Sequence, residues 1–138
     1  NIESITAGVT ADPRFSRVTI VTYGDDEILE QIEKQVGKLV DVRNIRELKP
    51  EESVYRELAL IKVKADPQQR QGIIAVADIF RANIVDVSKD SLIIELTGNQ
   101  AKIEAFINLL DGYEILELAR TGIAGLGRGM DNVTHLEC

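Results

Sequence analysis

Apolar positions along the chain follow two alternating periods. Strand-length runs rich in β-branched residues occupy 4–9, 17–23, 40–48, 58–64, 84–88, 92–97 and 113–119, where side chains two apart share a face. Among them lie three stretches whose apolar residues recur every three or four positions, the spacing that lines one side of a helix. The first starts at an Asp25 cap and sets Ile28, Leu29, Ile32 and Val36 together, with Glu27, Glu30, Glu33 and Lys34 elsewhere. The second follows Asp66-Pro67, a capping side chain with proline at the first helical position, and repeats Ile73, Val76, Ala77 and Phe80. The third follows Asn99 and carries Ile103, Phe106, Ile107 and Leu110.

From residue 57 onward the predicted order is strand, helix, strand, tight turn at Lys89-Asp90, strand, helix, strand. That order specifies an α+β, ferredoxin-like (βαββαβ) unit: four antiparallel strands with two helices on one face. The first 48 residues repeat its later part. Asn1-Ile2 matches Asn83-Ile84, and Tyr23-Gly24-Asp25 matches Thr97-Gly98-Asn99. A constant offset then pairs Leu29 with Ile103, Ile32 with Phe106 and Val36 with Leu110, so two copies of one unit are expected. The first copy opens at its second strand, and the expectation is a chain cut at its N-terminus. In this topology the missing first strand is central, so the first half is expected to be weakly ordered unless another chain fills the gap. The expected division is a truncated unit over 1–49, a polar linker over 50–55, a complete unit over 56–129 and a tail over 130–138.

Composition narrows the function classes. With 138 residues, 44% apolar and 28% charged, the chain can bury a core, as one ordinary domain or two small ones. Sixteen Lys and Arg against 23 Asp and Glu give a formal net charge of −7, which argues against a phosphate-backbone partner. Apolar stretches are too short to span a bilayer as a helix. The one cysteine, Cys138, has no partner for a disulfide or zinc motif, which fits a reducing compartment such as the cytoplasm.

Candidate chemistry is sparse. His135, the one histidine, lies beside Cys138 in the tail, a poor place for a nucleophile–base pair. The acidic pairs Asp25-Asp26 and Glu51-Glu52 read more simply as helix-start and linker residues than as metal ligands. The run Gly122, Gly125, Gly127, Gly129 with Arg128 matches no phosphate-loop spacing and reads as a flexible tail that orders on a partner. Arg120, at a strand end, reads either as a contact to another subunit or as a solvated charge. Asn83 and Asn1 start equivalent strands, where a side-chain amide offers both donor and acceptor to a zwitterion, or simply ends a turn.

Several stretches resemble the small regulatory subunits of acetohydroxyacid synthase (acetolactate synthase). They are Asn1-Ile2-Glu3-Ser4-Ile5, Asp12-Pro13 with Ser16-Arg17-Val18-Thr19-Ile20-Val21, Leu29-Glu30-Gln31-Ile32 and Lys38-Leu39-Val40-Asp41-Val42. In the second half they are Arg56-Glu57-Leu58-Ala59-Leu60-Ile61-Lys62-Val63, Ile79-Phe80-Arg81-Ala82, Ile84-Val85-Asp86-Val87-Ser88, Leu96-Thr97-Gly98 and Ala119-Arg120-Thr121-Gly122. The resemblance implies an N-terminal ACT domain, here lacking its first strand and helix, then a second ferredoxin-like domain. It implies a non-catalytic homodimer, paired through the ACT domains, that activates a separate catalytic subunit. Thiamine diphosphate, FAD and Mg2+ would belong to that partner, with no cofactor in this chain. The effector implied is valine or another branched-chain amino acid, with Asn1 and Ile2 as the wall of its site present here. Arg17 and Arg120 are the candidate contacts to the partner. The compartment implied is the cytoplasm, or the plastid stroma in a photosynthetic eukaryote. Competing expectations are an ACT module regulating a different partner, an acylphosphatase-like enzyme and an amino-acid-sensing transcription regulator. The absence of glycine before the second helix weighs against the enzyme, and the absence of a helix-turn-helix against the regulator.

Overall fold

The computed structural model describes residues 2–130. It divides into two compact units, one made of residues 2–55 together with 124–130, the other Arg56–Ile123.

In the N-terminal unit, β1 (Ile2–Val9) and β2 (Ser16–Thr22) form an antiparallel hairpin, followed by α1 (Asp26–Gly37). The loop between the strands closes locally. Asp12 and Phe15 are joined by a backbone hydrogen bond, and Arg14 binds the Asp12 carboxylate through Nε and Nη2 at 2.7–3.2 Å. Asp25 caps α1 as expected, its carboxylate accepting the Ile28 amide at 2.9 Å.

The expected strand over 40–48 does not form; this stretch runs without regular pairing to a 3-10 turn at Pro50–Glu52. The complete unit supplies the reason. There the last strand, β6 (Ile115–Arg120), pairs only with the first, β3 (Ser53–Lys64), in the order β4 (Asn83–Val87), β5 (Ser91–Gly98), β3, β6. The described residues of the N-terminal unit hold no counterpart of β3, so the β propensity of 40–48 meets no ladder to join. The same gap shows in burial: no residue from Ile2 to Glu52 is buried, and Ile5, Val18, Ile20 and Ile28 are exposed.

The second unit is complete. After β3 come α2 (Arg70–Ile79), β4 (Asn83–Val87), β5 (Ser91–Gly98), α3 (Gln100–Leu109) and β6 (Ile115–Arg120). The turn at Lys89-Asp90 joins β4 to β5, and Arg70 holds it by donating to the Ser88 and Lys89 carbonyls. Alternate residues of β3 and β5 (Ala59, Ile61, Val63; Leu92, Ile94, Leu96) meet Ile73, Ala77, Ile103 and Phe106 of the helices, all buried. Phe80 and Phe106 meet edge to face at 5.3 Å and 72°, worth about 0.5–1.5 kcal/mol beyond the area they bury.

Helix boundaries follow local chemistry. Asp66 accepts the Gln68 and Gln69 amides at 2.9 and 2.8 Å while Gln69 Oε1 accepts the Asp66 amide at 3.2 Å, a reciprocal cap. It closes one tight turn before the regular helix begins at Arg70, four residues past the expected cap. At the other end Ala82 donates to the Ala77 carbonyl and Arg81 to that of Asp78, with Arg81 at φ 57°. This is a Schellman closure with arginine where glycine is usual.

The internal repeat is visible in the caps. Asp25 and Asn99 have backbone angles of −76°, 173° and −77°, 172°, and each accepts the amide three residues on at 2.9 Å. A Cβ on the preceding Gly24 or Gly98 would collide with the side chain four residues on, Ile28 or Lys102. The repeated glycine is therefore required for that side chain to fold back over the cap.

Candidate functional site

The predicted effector wall is the start of β1. Asn1 lies outside the described residues. Ile2 is exposed and pairs with Thr22, with an irregularity in the ladder between Ile2 and Ser4. That register sets the start of β1 against the end of β2, separated from the Asp25 cap only by Tyr23 and Gly24. The matching position in the second unit is arranged differently: Asn83 is exposed opposite Glu95, and Ile84 packs against the core.

Both arginines singled out in the sequence have partners inside their own unit. Arg17 of β2 donates through Nη2 to the Gly125 carbonyl at 2.8 Å. Arg120 of β6 contacts Glu57 Oε1 through Nε at 2.7 Å and Nη2 at 2.6 Å, and Glu104 Oε1 through Nη1 at 2.9 Å. The bond to Glu104, then that to Glu57, pushes the guanidinium above its ordinary value against the opposing effect of burial. Thr121 extends the tie along the same strands, its amide donating to the Leu58 carbonyl at 3.1 Å.

Glu57 was missed in the sequence although a signal was present. It shares the inward parity of Ala59, Ile61 and Val63 and is 6% exposed, and a carboxylate in such a series needs a buried counter-charge. The glycine run also departs from expectation: Ala124–Gly127 is a strand, β7, that pairs with β3. Its bonds are made by the backbone, which is why side-chain periodicity gave no sign of it. His135 and Cys138 lie outside the described residues.

An open depression of about 470 Å³ is bordered by Glu30, Glu33 and Lys34 of α1 and by residues 42–45; Lys34 there is paired with Glu30 at 3.2 Å. Among the described residues no three His, Cys, Asp or Glu side chains cluster as a metal site, and no helix is long and apolar enough to cross a membrane. In the β1–β2 loop, hydrogen bonds from Arg14 hold the Asp12 carboxyl below its ordinary value of 3.8.

Comparison with known proteins finds two family matches along the chain. The family described as small subunit of acetolactate synthase matches residues 56–129, and the AHAS small subunit-like ACT domain matches residues 1–44. A probable acetolactate synthase small subunit of Archaeoglobus fulgidus is 51% identical over 129 residues, covering 94% of this chain and 80% of the relative. The isozyme 3 small subunit of Salmonella typhimurium is 45% identical over 130 residues, covering 94% and 80%. The crystal structure of the small subunit from Thermotoga maritima superposes with a TM-score of 0.88 at 48% identity, covering 94% of this chain and 81% of that one.

Proposed function

The chain belongs to the family of acetolactate synthase small subunits, and from that premise we propose that it is a non-catalytic regulatory subunit. It activates a separate catalytic subunit and confers feedback inhibition by a branched-chain amino acid, valine. The observation that carries this reading is the tiling of one chain by an ACT-type unit and the small-subunit unit, at 45–51% identity to named small subunits.

Physically, such regulation is a coupling free energy between two sites, on the order of 1–3 kcal/mol, and requires that effector and partner each favour one state of the subunit. Asn1 and Ile2 are assigned to one wall of the effector site, with Ile2 paired to Thr22 at the end of β2. The exposed apolar side chains Ile5, Val18 and Ile20 support association through this unit, as in a homodimer, since an uncovered apolar face gains from burial. Thiamine diphosphate, FAD and Mg2+ are held by the catalytic subunit, and the complex works in the cytoplasm.

The test is acetolactate formation by the catalytic subunit with this chain added, in the absence and presence of valine. Stimulation that valine reverses is the expected result. A folded chain that leaves the rate unchanged refutes the activating role, and stimulation untouched by valine refutes the effector assignment.

A further inference from the structure

The N-terminal unit has no buried apolar side chain before Ser53, so packing alone does little to fix its shape. The contacts that close it therefore matter more than usual, and several converge on β7. Arg17, partly buried in β2, donates to the Gly125 carbonyl at 2.8 Å. At Gly125 a Cβ would stand 3.0 Å from both Leu48 Cδ1 and Tyr55 Cδ1, so the backbone approaches this segment as closely as glycine permits. Tyr55 donates its hydroxyl to the Leu48 carbonyl, and the Arg128 amide donates to the Glu52 carbonyl at 2.8 Å.

We propose that β7 is a clasp on the N-terminal unit and that Arg17 is its positioning residue, the guanidinium holding the Gly125 carbonyl so that β2 and the segment 48–55 keep the arrangement a partner recognises. The contacts stand independently of function; the consequence for the catalytic subunit rests on the regulatory reading above. A surface that must be ordered before binding loses apparent affinity in proportion to the fraction that is disordered. A unit whose described residues bury no apolar side chain has few other ties to hold that fraction down.

Two measurements on the full chain test this, with Arg17→Gln, Arg17→Lys and Gly125→Val as variants. In amide hydrogen exchange, Arg17→Gln removes one charge-assisted bond and speeds exchange about tenfold over 124–128 and 16–22. Exchange in β5 of the second unit stays as in the wild type, which shows that the variant is folded. Arg17→Lys, which keeps a charged donor, recovers part of the protection, and Gly125→Val speeds the same amides from the other side of the contact. Equal protection in wild type and Arg17→Gln overturns the clasp. In the acetolactate assay, Arg17→Gln reaches the wild-type maximum but needs severalfold more chain for half-maximal stimulation, and Arg17→Lys lowers that requirement. An unchanged half-maximal concentration overturns the role in partner recognition. Failure of the wild-type chain to stimulate overturns the regulatory reading, while the exchange result still decides the clasp.

Discussion

Replacing Arg120 with methionine keeps much of the side-chain volume and removes the charge that faces Glu57. The Glu57 side chain is 6% exposed, and its contacts to Arg120 are 2.6 and 2.7 Å; the Arg120 side chain is 27% exposed. Breaking a fully buried pair by deleting one partner costs about 3–5 kcal/mol, because the remaining charge stays desolvated. Partial access of water at Arg120 reduces that to about 2–3 kcal/mol by solvent screening. For a unit of this size, each kcal/mol moves the melting temperature by about 4–8 °C, so Arg120→Met lowers it by roughly 10–20 °C. Thermal denaturation followed by circular dichroism measures this directly. Glu104→Gln is the control: Glu104 is half exposed at 51%, and its loss costs less than about 1 kcal/mol. The double variant Glu57→Gln, Arg120→Met recovers part of the loss, because no charge is then buried without a partner. A melting temperature for Arg120→Met within a few degrees of wild type would refute the reasoning and make the pair an ordinary surface contact.

Three further outcomes follow from local geometry. Arg81 sits at φ 57° at the end of α2, so Arg81→Gly raises stability by about 1 kcal/mol in a urea titration; a loss there would mean that the arginine side chain has an anchoring role. Gly72 in α2 lies under the Tyr113 hydroxyl, which a Cβ would strike; Gly72→Ala therefore destabilises the wild type. In a Tyr113→Phe background it gains up to about 1 kcal/mol from helix propensity, a coupling that a double-mutant cycle reads. Burial raises the Tyr55 phenol above its ordinary value of 10.0. The stability it contributes is fully present below pH 10 and is lost as pH rises through the folded-state value, and Tyr55→Phe removes that part of the alkaline slope.

What could be read from the sequence was what is local. Asp25, Asp66 and Asn99 announce helix starts because a capping side chain binds an amide two or three residues away. The turn at Lys89-Asp90 and the match of Gly24-Asp25 with Gly98-Asn99 are equally short-range. The misses are non-local. Residues 40–48 have strand composition, but a strand needs a neighbour, and the position that β3 fills in the second unit is empty among the described residues of the first. The β7 segment has almost no side chains to pattern and is held by backbone pairing and by Arg17, far away in sequence. Glu57 was legible in principle from its parity with Ala59, Ile61 and Val63. Its partner Arg120 could be found only once β3 and β6 were seen side by side.

The most direct test of the regulatory assignment is the rate of acetolactate formation by the catalytic subunit, titrated with this chain at saturating substrate. A saturable rise in rate is predicted, reversed by valine. A rate that stays at that of the catalytic subunit alone, with a chain whose circular dichroism shows it folded, would contradict the assignment.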